Sequence, residues 1–381
     1  MVVLKGPMWM AITEFADYTS LTIAIPINLL LLYCICTKSP KEFGSYKYLM
    51  MWFSVQGIFF SIIATFTHMC FHTIDGTFMM FTITNKMDLP ASGVWVLLGL
   101  CCISVGYVLF TLSVQFVYRY FAMSNTGNLK YFSGWRRLYF VLIMILVAIV
   151  YGGCGFVGIN LTPERDKEIR NSMAETYKVS PEEIYYVAVE YYVRNQNNEI
   201  VINWLSIGTA AMLNSVFGSM VFVIIYCGIK TYKGTQVKTC QLSNHMYIQQ
   251  QLFTALLVQT LTPTVLIFIP CIIFYALPIF EYPLAADANI LSISLVLYPM
   301  LDPIGVMFII KKYREFLKSE NPVEHVIRQF PPSEFVYRRV IRRARCSVLE
   351  LGNTAYSSRP AQTHKCHNSG EKSPRFDQIQ N

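Results

Sequence analysis

The sequence predicts an all-α membrane protein: a seven-transmembrane helix bundle with its N-terminus outside and its C-terminus inside. Three observations predict it. Seven stretches lack charged side chains and are each long enough to cross a bilayer, the loops between them alternate in charge, and the composition is strongly apolar. Apolar residues make up 54% of the chain and charged residues 14%, against about a quarter charged in soluble domains. About 20 apolar residues cross the roughly 30 Å hydrocarbon core as a helix. Only helices and closed barrels satisfy every backbone group there, and runs this long are not barrel strands.

The first charge-free stretch lies between Asp17 and Lys38. Its core, roughly Tyr18–Cys36, reads as an uncleaved signal anchor, because the chain start lacks the basic, apolar and small-residue layout of a cleavable signal. The second stretch lies between Lys47 and Asp75, the third between Asp88 and Arg119, and the fourth between Arg137 and Glu164. The fifth falls between Glu199 and Lys230 and the sixth between Lys238 and Glu281. The seventh runs from Asp287 to Asp302 and resumes as far as Lys311. The predicted organisation is an outer N-terminal segment over 1–17, the bundle over 18–318 and an inner tail over 319–381. Beyond Leu351 that tail is rich in Ser, Thr, Asn and Gln, a composition that predicts disorder.

Orientation follows from the lysines and arginines of the loops. Lys38, Lys41 and Lys47 follow span one, Arg119, Lys130, Arg136 and Arg137 follow span three, and Lys230, Lys233 and Lys238 follow span five. The intervening loops are acidic, the long one from about Asn160 to Val201 holding eight acids against five bases. The tail from Lys311 has fourteen bases and seven acids. Basic loops therefore share the inner side with the C-terminus. The net charge of +8 sits where anionic lipid attracts basic segments, so it does not argue for nucleic acid. The run Arg338, Arg339, Arg342, Arg343 and Arg345 beside Cys346 reads either as a membrane-surface helix with a palmitoylated cysteine or as a solvated basic tail.

Cys34, Cys36, Cys101, Cys102, Cys154, Cys227 and Cys271 fall inside spans, where cysteine acts as a small hydrophobe. Cys240, Cys346 and Cys366 are on the inner side and expected to stay reduced. Cys70 lies near the outer surface, and the long outer loop has no cysteine to pair with it. The six histidines show no metal-ligand spacing. Asn160-Leu161-Thr162 is a glycosylation sequon at the membrane edge. No catalytic dyad appears, and neither an enzyme nor a cofactor is expected.

Polar residues inside spans mark function by default. In span three Ser104, Tyr107, Thr111, Gln115 and Tyr118 recur at steps of three and four on one helix face, which ends at Tyr118-Arg119-Tyr120. The stripe reads either as glue between helices or as a relay ending in a switchable arginine. Span seven holds Asp302 within Tyr298-Pro299-Met300-Leu301-Asp302-Pro303, the one carboxylate expected to be buried by a span. It is expected to be protonated, hydrated or bonded to a polar neighbour. Asn28, preceded by Pro26, lies at comparable depth in span one. Pro299 and Pro303 free backbone carbonyls and permit bending, as do Pro263, Pro270 and Pro278 in span six.

These motifs, in this order, resemble the nematode serpentine chemoreceptors, specifically the Str class and its close relatives. The resemblance covers nearly all of residues 15–320. It is carried by Thr37-Lys38-Ser39-Pro40-Lys41-Glu42-Phe43-Gly44-Ser45-Tyr46-Lys47-Tyr48-Leu49-Met50 and by Phe116-Val117-Tyr118-Arg119-Tyr120-Phe121-Ala122. Gln251-Leu252-Phe253-Thr254-Ala255-Leu256, Gln259-Thr260-Leu261-Thr262-Pro263, the Asp302 motif and Ile309-Ile310-Lys311-Lys312-Tyr313-Arg314 complete it. The resemblance implies a G-protein-coupled receptor in the plasma membrane of sensory cilia, with a small odorant-like ligand and a heterotrimeric G protein as partners. Compared with the wider rhodopsin-like pattern, Tyr118 replaces the acid before the arginine, Asp302-Pro303 stands in the span-seven motif, and the disulfide from span three to the outer loop is missing.

The expected mechanism is a ligand-induced population shift. The pocket is expected in the outer half between spans three, five, six and seven, with Trp95, Cys102, Ser104, Trp204, Thr209, Phe268, Tyr275 and Ser292 as lining candidates. Tyr118, Arg119, Tyr120, Lys230, Lys233 and Lys238 are the coupling candidates, and Asn28, Pro263, Pro299, Asp302 and Pro303 the activation switch. A ligand-gated channel would require polar rings or a selectivity element. A secondary transporter would show internal repeats and more intramembrane charge. Neither set of features is present in the sequence.

Overall fold

The computed structural model describes residues 5–84, 89–124, 128–132, 134–157, 161–194, 199–238, 244–282 and 284–318. Cys240, Asn160, Cys346, Cys366 and the tail lie outside them. In chain order the helices are α1 (Gly6–Lys38), α2 (Tyr46–Thr67), α3 (Ala91–Ser124), α4 (Arg136–Val157), α5 (Pro163–Tyr177), α6 (Trp204–Lys238), α7 (Asn244–Pro263), α8 (Ile269–Ala276), α9 (Ile290–Ile309) and α10 (Lys311–Leu317). A π turn over Thr264–Phe268 joins α7 to α8 as one span. Six of these spans are long and apolar enough to cross a membrane, and α4 is a further apolar helix. Their outward faces carry the hydrophobic side chains that a soluble protein would bury: Leu142, Leu146 and Ile149 on α4, and Phe222, Ile225 and Ile229 on α6, are all exposed. Such a surface is stable only against lipid. The expected boundary at Asp17 is not a backbone break, since α1 starts at Gly6 with Pro7 in its first turn.

The bundle is helical as expected, but the long loops at one end are not simple connections. Strands β1 (Cys70–Ile74), β2 (Thr77–Ile83) and β3 (Ile184–Glu190) form an antiparallel sheet in that order. Register is set by pairs such as Ile74 with Thr77 and Phe81 with Tyr186. Two short strands, β4 (Tyr192–Arg194) and β5 (Ile200–Ile202), pair beside it. Every residue of β2 is buried, which explains why its sequence reads as a continuous apolar run: both faces are covered. Phe78 and Met80 pack into the bundle core with Phe71 and Val187. Met79, Phe81 and Ile83 point the other way, into a second cluster with Ile169, Met173, Tyr177 and Trp9.

Helix α5 forms the outer layer. Thr162 caps it by accepting from the Arg165 amide, Pro163 occupies its first turn, and Glu164 and Asp166 complement the helix N-terminus. Its buried residues Arg165, Ile169, Met173 and Tyr177 recur every fourth position, a single stripe laid on the sheet. Arg165 fixes the docking: its Nε donates to Glu190 Oε1 at 3.0 Å and its Nη1 to Glu168 at 2.9 Å. Burial raises the Glu190 pKa, and the facing guanidinium opposes that rise. Cys70 is buried at the start of β1, with its thiol pushed up to about 12 by burial, so it is an inert core group.

Candidate functional site

Beneath the sheet lies a cavity of about 170 Å³. The roof is Phe71, Phe78, Met80, Val187 and Val189; α3 contributes Cys102 and Val105; α6 contributes Leu213, Asn214 and Phe217. Ile267 and Phe268 of the π turn and Cys271, Ile272 and Tyr275 of α8 form a further wall, with Leu291 and Leu295 of α9. The lining is almost wholly apolar. The amide nitrogen of Asn214 is engaged by the Ala210 carbonyl at 2.8 Å.

Of the eight lining candidates, Cys102, Phe268 and Tyr275 face the cavity. Trp95 is partly exposed and packs edge-on against Tyr185. Ser104 and Thr209 bond carbonyls of their own helices, at Leu100 and Leu205. Trp204 is 74% exposed at the start of α6. Ser292 is buried with its hydroxyl unpaired, away from this lining. The sheet residues of the roof escaped sequence reasoning because they sit in loops; the apolar run Thr77–Ile83 was the available signal.

At the opposite end of α3 the polar stripe joins α3 to α2. Tyr107 accepts from Trp52 Nε1 at 2.6 Å, Thr111 donates to Gln56 at 3.0 Å, and Gln115 accepts from the Tyr46 hydroxyl at 3.1 Å. Ser104 takes no part. Arg119 ends the stripe and is only 2% exposed. Its Cζ lies 3.5 Å from the Tyr46 ring centroid, and its Nη1 donates to Gln249 Oε1 of α7 at 2.8 Å. The Gln249 amide nitrogen donates in turn to the Glu42 carbonyl at 3.3 Å. Nε and Nη2 of Arg119 are buried without hydrogen-bond partners. A guanidinium stacked on an aromatic face and held by one neutral amide is a latch across α3 and α7 with donors in reserve. Tyr118 backs it, packing against Tyr46 and edge-on against Phe132, while Tyr120 packs against Tyr226 of α6.

The third part is the pair of prolines inside α9. Pro303 has no amide hydrogen, so the carbonyl of Pro299 one turn earlier loses its ladder partner. Asn28 Nδ2 donates to that carbonyl at 2.9 Å, and also to Ala24. Ser294 likewise ties α9 to span six, donating at 2.6 Å to the Leu266 carbonyl within the π turn. Asn28 makes no hydrogen bond to Asp302. The polar neighbour of that carboxyl is the Gln259 side chain of α7, and Asp302 Oδ1 and Gln259 Oε1 are both otherwise unpaired. Nor is Asp302 the single buried carboxylate: Asp17 is 2% exposed and pairs with His68 at 3.2 Å.

A family profile described as serpentine type 7TM GPCR chemoreceptor Str matches residues 13–318. The chain belongs to the Str family of nematode serpentine chemoreceptors. Among its relatives, this receptor is 28% identical over 318 residues to serpentine receptor class r-10 of Caenorhabditis elegans, covering 82% of this chain and 91% of that one. It is 24% identical over 306 residues to G-protein coupled receptor str-33 of the same organism, covering 80% and 88%. Among solved structures it resembles squid rhodopsin, with a TM-score of 0.56 at 11% identity over 86% of this chain and 88% of that one, a likeness of fold.

On the receptor's remaining coupling candidates, Lys230 and Lys233 are exposed on α6, and Lys230 lies 5.8 Å from the Tyr226 ring centroid. Lys238 closes α6, and its side chain lies outside the described residues. Gln249 was missed in the sequence because Gln249, Gln250 and Gln251 stand in a row in α7 and nothing local says which of the three turns inward; Gln259 was read only as part of a family motif.

Proposed function

We propose that the receptor holds a small, largely apolar stimulus in the sheet-capped cavity and activates a heterotrimeric G protein at the Arg119 end. We place it in the plasma membrane of a sensory cilium, with its N-terminus outside as the loop charges require. One continuity carries the reading. The span that carries Gln249, the partner of Arg119, passes through Pro263 and the π turn to Ile267 and Phe268 on the cavity wall. Matter in the cavity therefore presses on the same rod that latches the arginine. Proline and a π turn are where such a rod changes direction.

A dry cavity of about 150 Å³ accommodates a molecule the size of benzene, so the stimulus is of that order and has few polar groups. It acts by binding the bundle with α7 displaced better than the latched one. Displacement of α7 removes Gln249 from Arg119 and turns its free donors toward the Gα C-terminal helix, beside Lys230, Lys233 and Lys238.

The test is a panel of small apolar volatiles applied to cells carrying the receptor and a calcium reporter. An active compound is expected to lose its effect with Cys102→Phe, which fills the cavity, at unchanged surface level. Arg119→Ala is expected to abolish the response while binding persists. Lys at this position is expected to restore little of the response, because it lacks the planar donor fork. Full signalling from Arg119→Ala would sink the coupling role.

A further inference from the structure

A second hollow, of about 650 Å³, lies between α2 and α4 at the Arg119 end. Its walls are Tyr48, Trp52 and Val55 on one side and Phe132, Trp135 and Leu138 on the other. Trp135 is 85% exposed, Tyr48 44% and Leu138 49%, while Phe132, in the turn before α4, is buried behind them. The Trp52 indole nitrogen is already engaged by Tyr107, so the ring offers the hollow only its carbon surface. The lining is mostly carbon surface, and its polar groups are the Ser45 and Tyr48 hydroxyls and the Trp135 indole N–H.

The rim is different. Lys47 Nζ stands 5.1 Å from the centroid of the Tyr48 ring, itself a wall residue. Lys130 Nζ stands 5.5 Å from the centroid of Tyr131, which precedes wall residue Phe132. Arg136 follows Trp135 and is exposed at the start of α4. Residues 120–137 contain no acid. Apolar walls meeting a cationic rim at the end of a span describe a molecule with a long hydrocarbon part and an anionic head.

We propose that this groove binds one anionic phospholipid, with acyl chain against Trp52, Val55 and Leu138 and phosphate among Lys47, Lys130 and Arg136. Surface cations each add a roughly fivefold preference for anionic lipid. Three together select a net negative head over a zwitterionic one by about a hundredfold. Phe132 lines the groove on one side and meets Tyr118 edge-on on the other at 5.1 Å. An occupant therefore braces the side chain next to Arg119.

The full chain, purified from vesicles of mixed phosphatidylserine and phosphatidylcholine, is examined by native mass spectrometry for retained lipid. The wild type is expected to retain one phosphatidylserine, and the triple variant Lys47→Ala, Lys130→Ala and Arg136→Ala to lose that preference about a hundredfold. Val55→Trp, which fills the groove and leaves the rim intact, is expected to lose the lipid as well. Circular dichroism melts matching the wild type exclude misfolding as the cause. Equal retention of both lipids by the wild type would overturn the proposal. So would an undiminished serine-lipid preference in the triple variant, retention by Val55→Trp, or full displacement by inorganic phosphate, which would mark an anion site without a chain.

Discussion

At the scale of single residues, this receptor handles its prolines with side chains from neighbouring spans. Pro303 opens the Pro299 carbonyl and Asn28 closes it; in the π turn of span six the Leu266 carbonyl takes a bond from Ser294. In hydrocarbon an open carbonyl has no water to turn to, so these bonds allow bent helices in a bilayer. Asn28→Ala is expected to lower stability by about 1–3 kcal/mol, the cost of a buried unsatisfied polar group. In a Pro303→Ala background the ladder amide returns, and the same asparagine substitution is expected to cost less than half as much. Thermal unfolding of the four proteins in one detergent measures the cycle. Equal costs in both backgrounds would show that Asn28 serves something other than the Pro299 carbonyl. Arg119 belongs to the same scale: with Tyr118 where an acid is usual, its restraint comes from the Tyr46 face and the Gln249 amide.

Among the elements, the sheet between α5 and the bundle roofs the cavity. It is buried on both faces, and that burial holds the histidine of β1 neutral. His72 of β1 is 2% exposed, lies 3.1 Å from the Tyr177 hydroxyl and packs edge-on against Phe81 and Tyr177. Burial pushes its pKa down to about 4, while burial moves Tyr177 far above the usual phenol range. A histidine whose folded pKa is depressed contributes stability that is present above its unfolded value of about 6.5. That contribution is lost as pH falls from there toward 4, by up to about 3 kcal/mol. Acidification over this window is expected to loosen the sheet, read as faster amide exchange in β1 and β2. His72→Gln, which cannot protonate there, is expected to flatten that part of the profile. Identical profiles for the two proteins would remove His72 as the cause.

Over the whole molecule, the two ends of the bundle are built differently. The sheet end encloses an apolar chamber, the Arg119 end carries a latch and basic loops, and the α7–α8 span touches both. The proposed direction of signalling requires the Arg119 end to face the cytoplasm. Epitope tags inserted at Asn128 and at the C-terminus are expected to stain only after permeabilisation. Staining of either on intact cells would reverse the orientation and end the proposed coupling.

The spans were legible in the sequence because the cost of placing a charge in hydrocarbon is a property of each residue by itself. Charge-free stretches therefore marked the seven helices, and the three-and-four spacing marked the inner face of α3. Motifs such as Phe116-Val117-Tyr118-Arg119 carried the family for a similar reason: they are contiguous. What the tertiary structure alone decided are partnerships between distant segments. Phe81 meets Tyr186 across the sheet, Arg119 meets Gln249, and Asp302 meets Gln259 in place of Asn28. A hydrogen bond or a two-sided burial depends on which remote side chain the folded bundle brings within reach, and no local pattern encodes that.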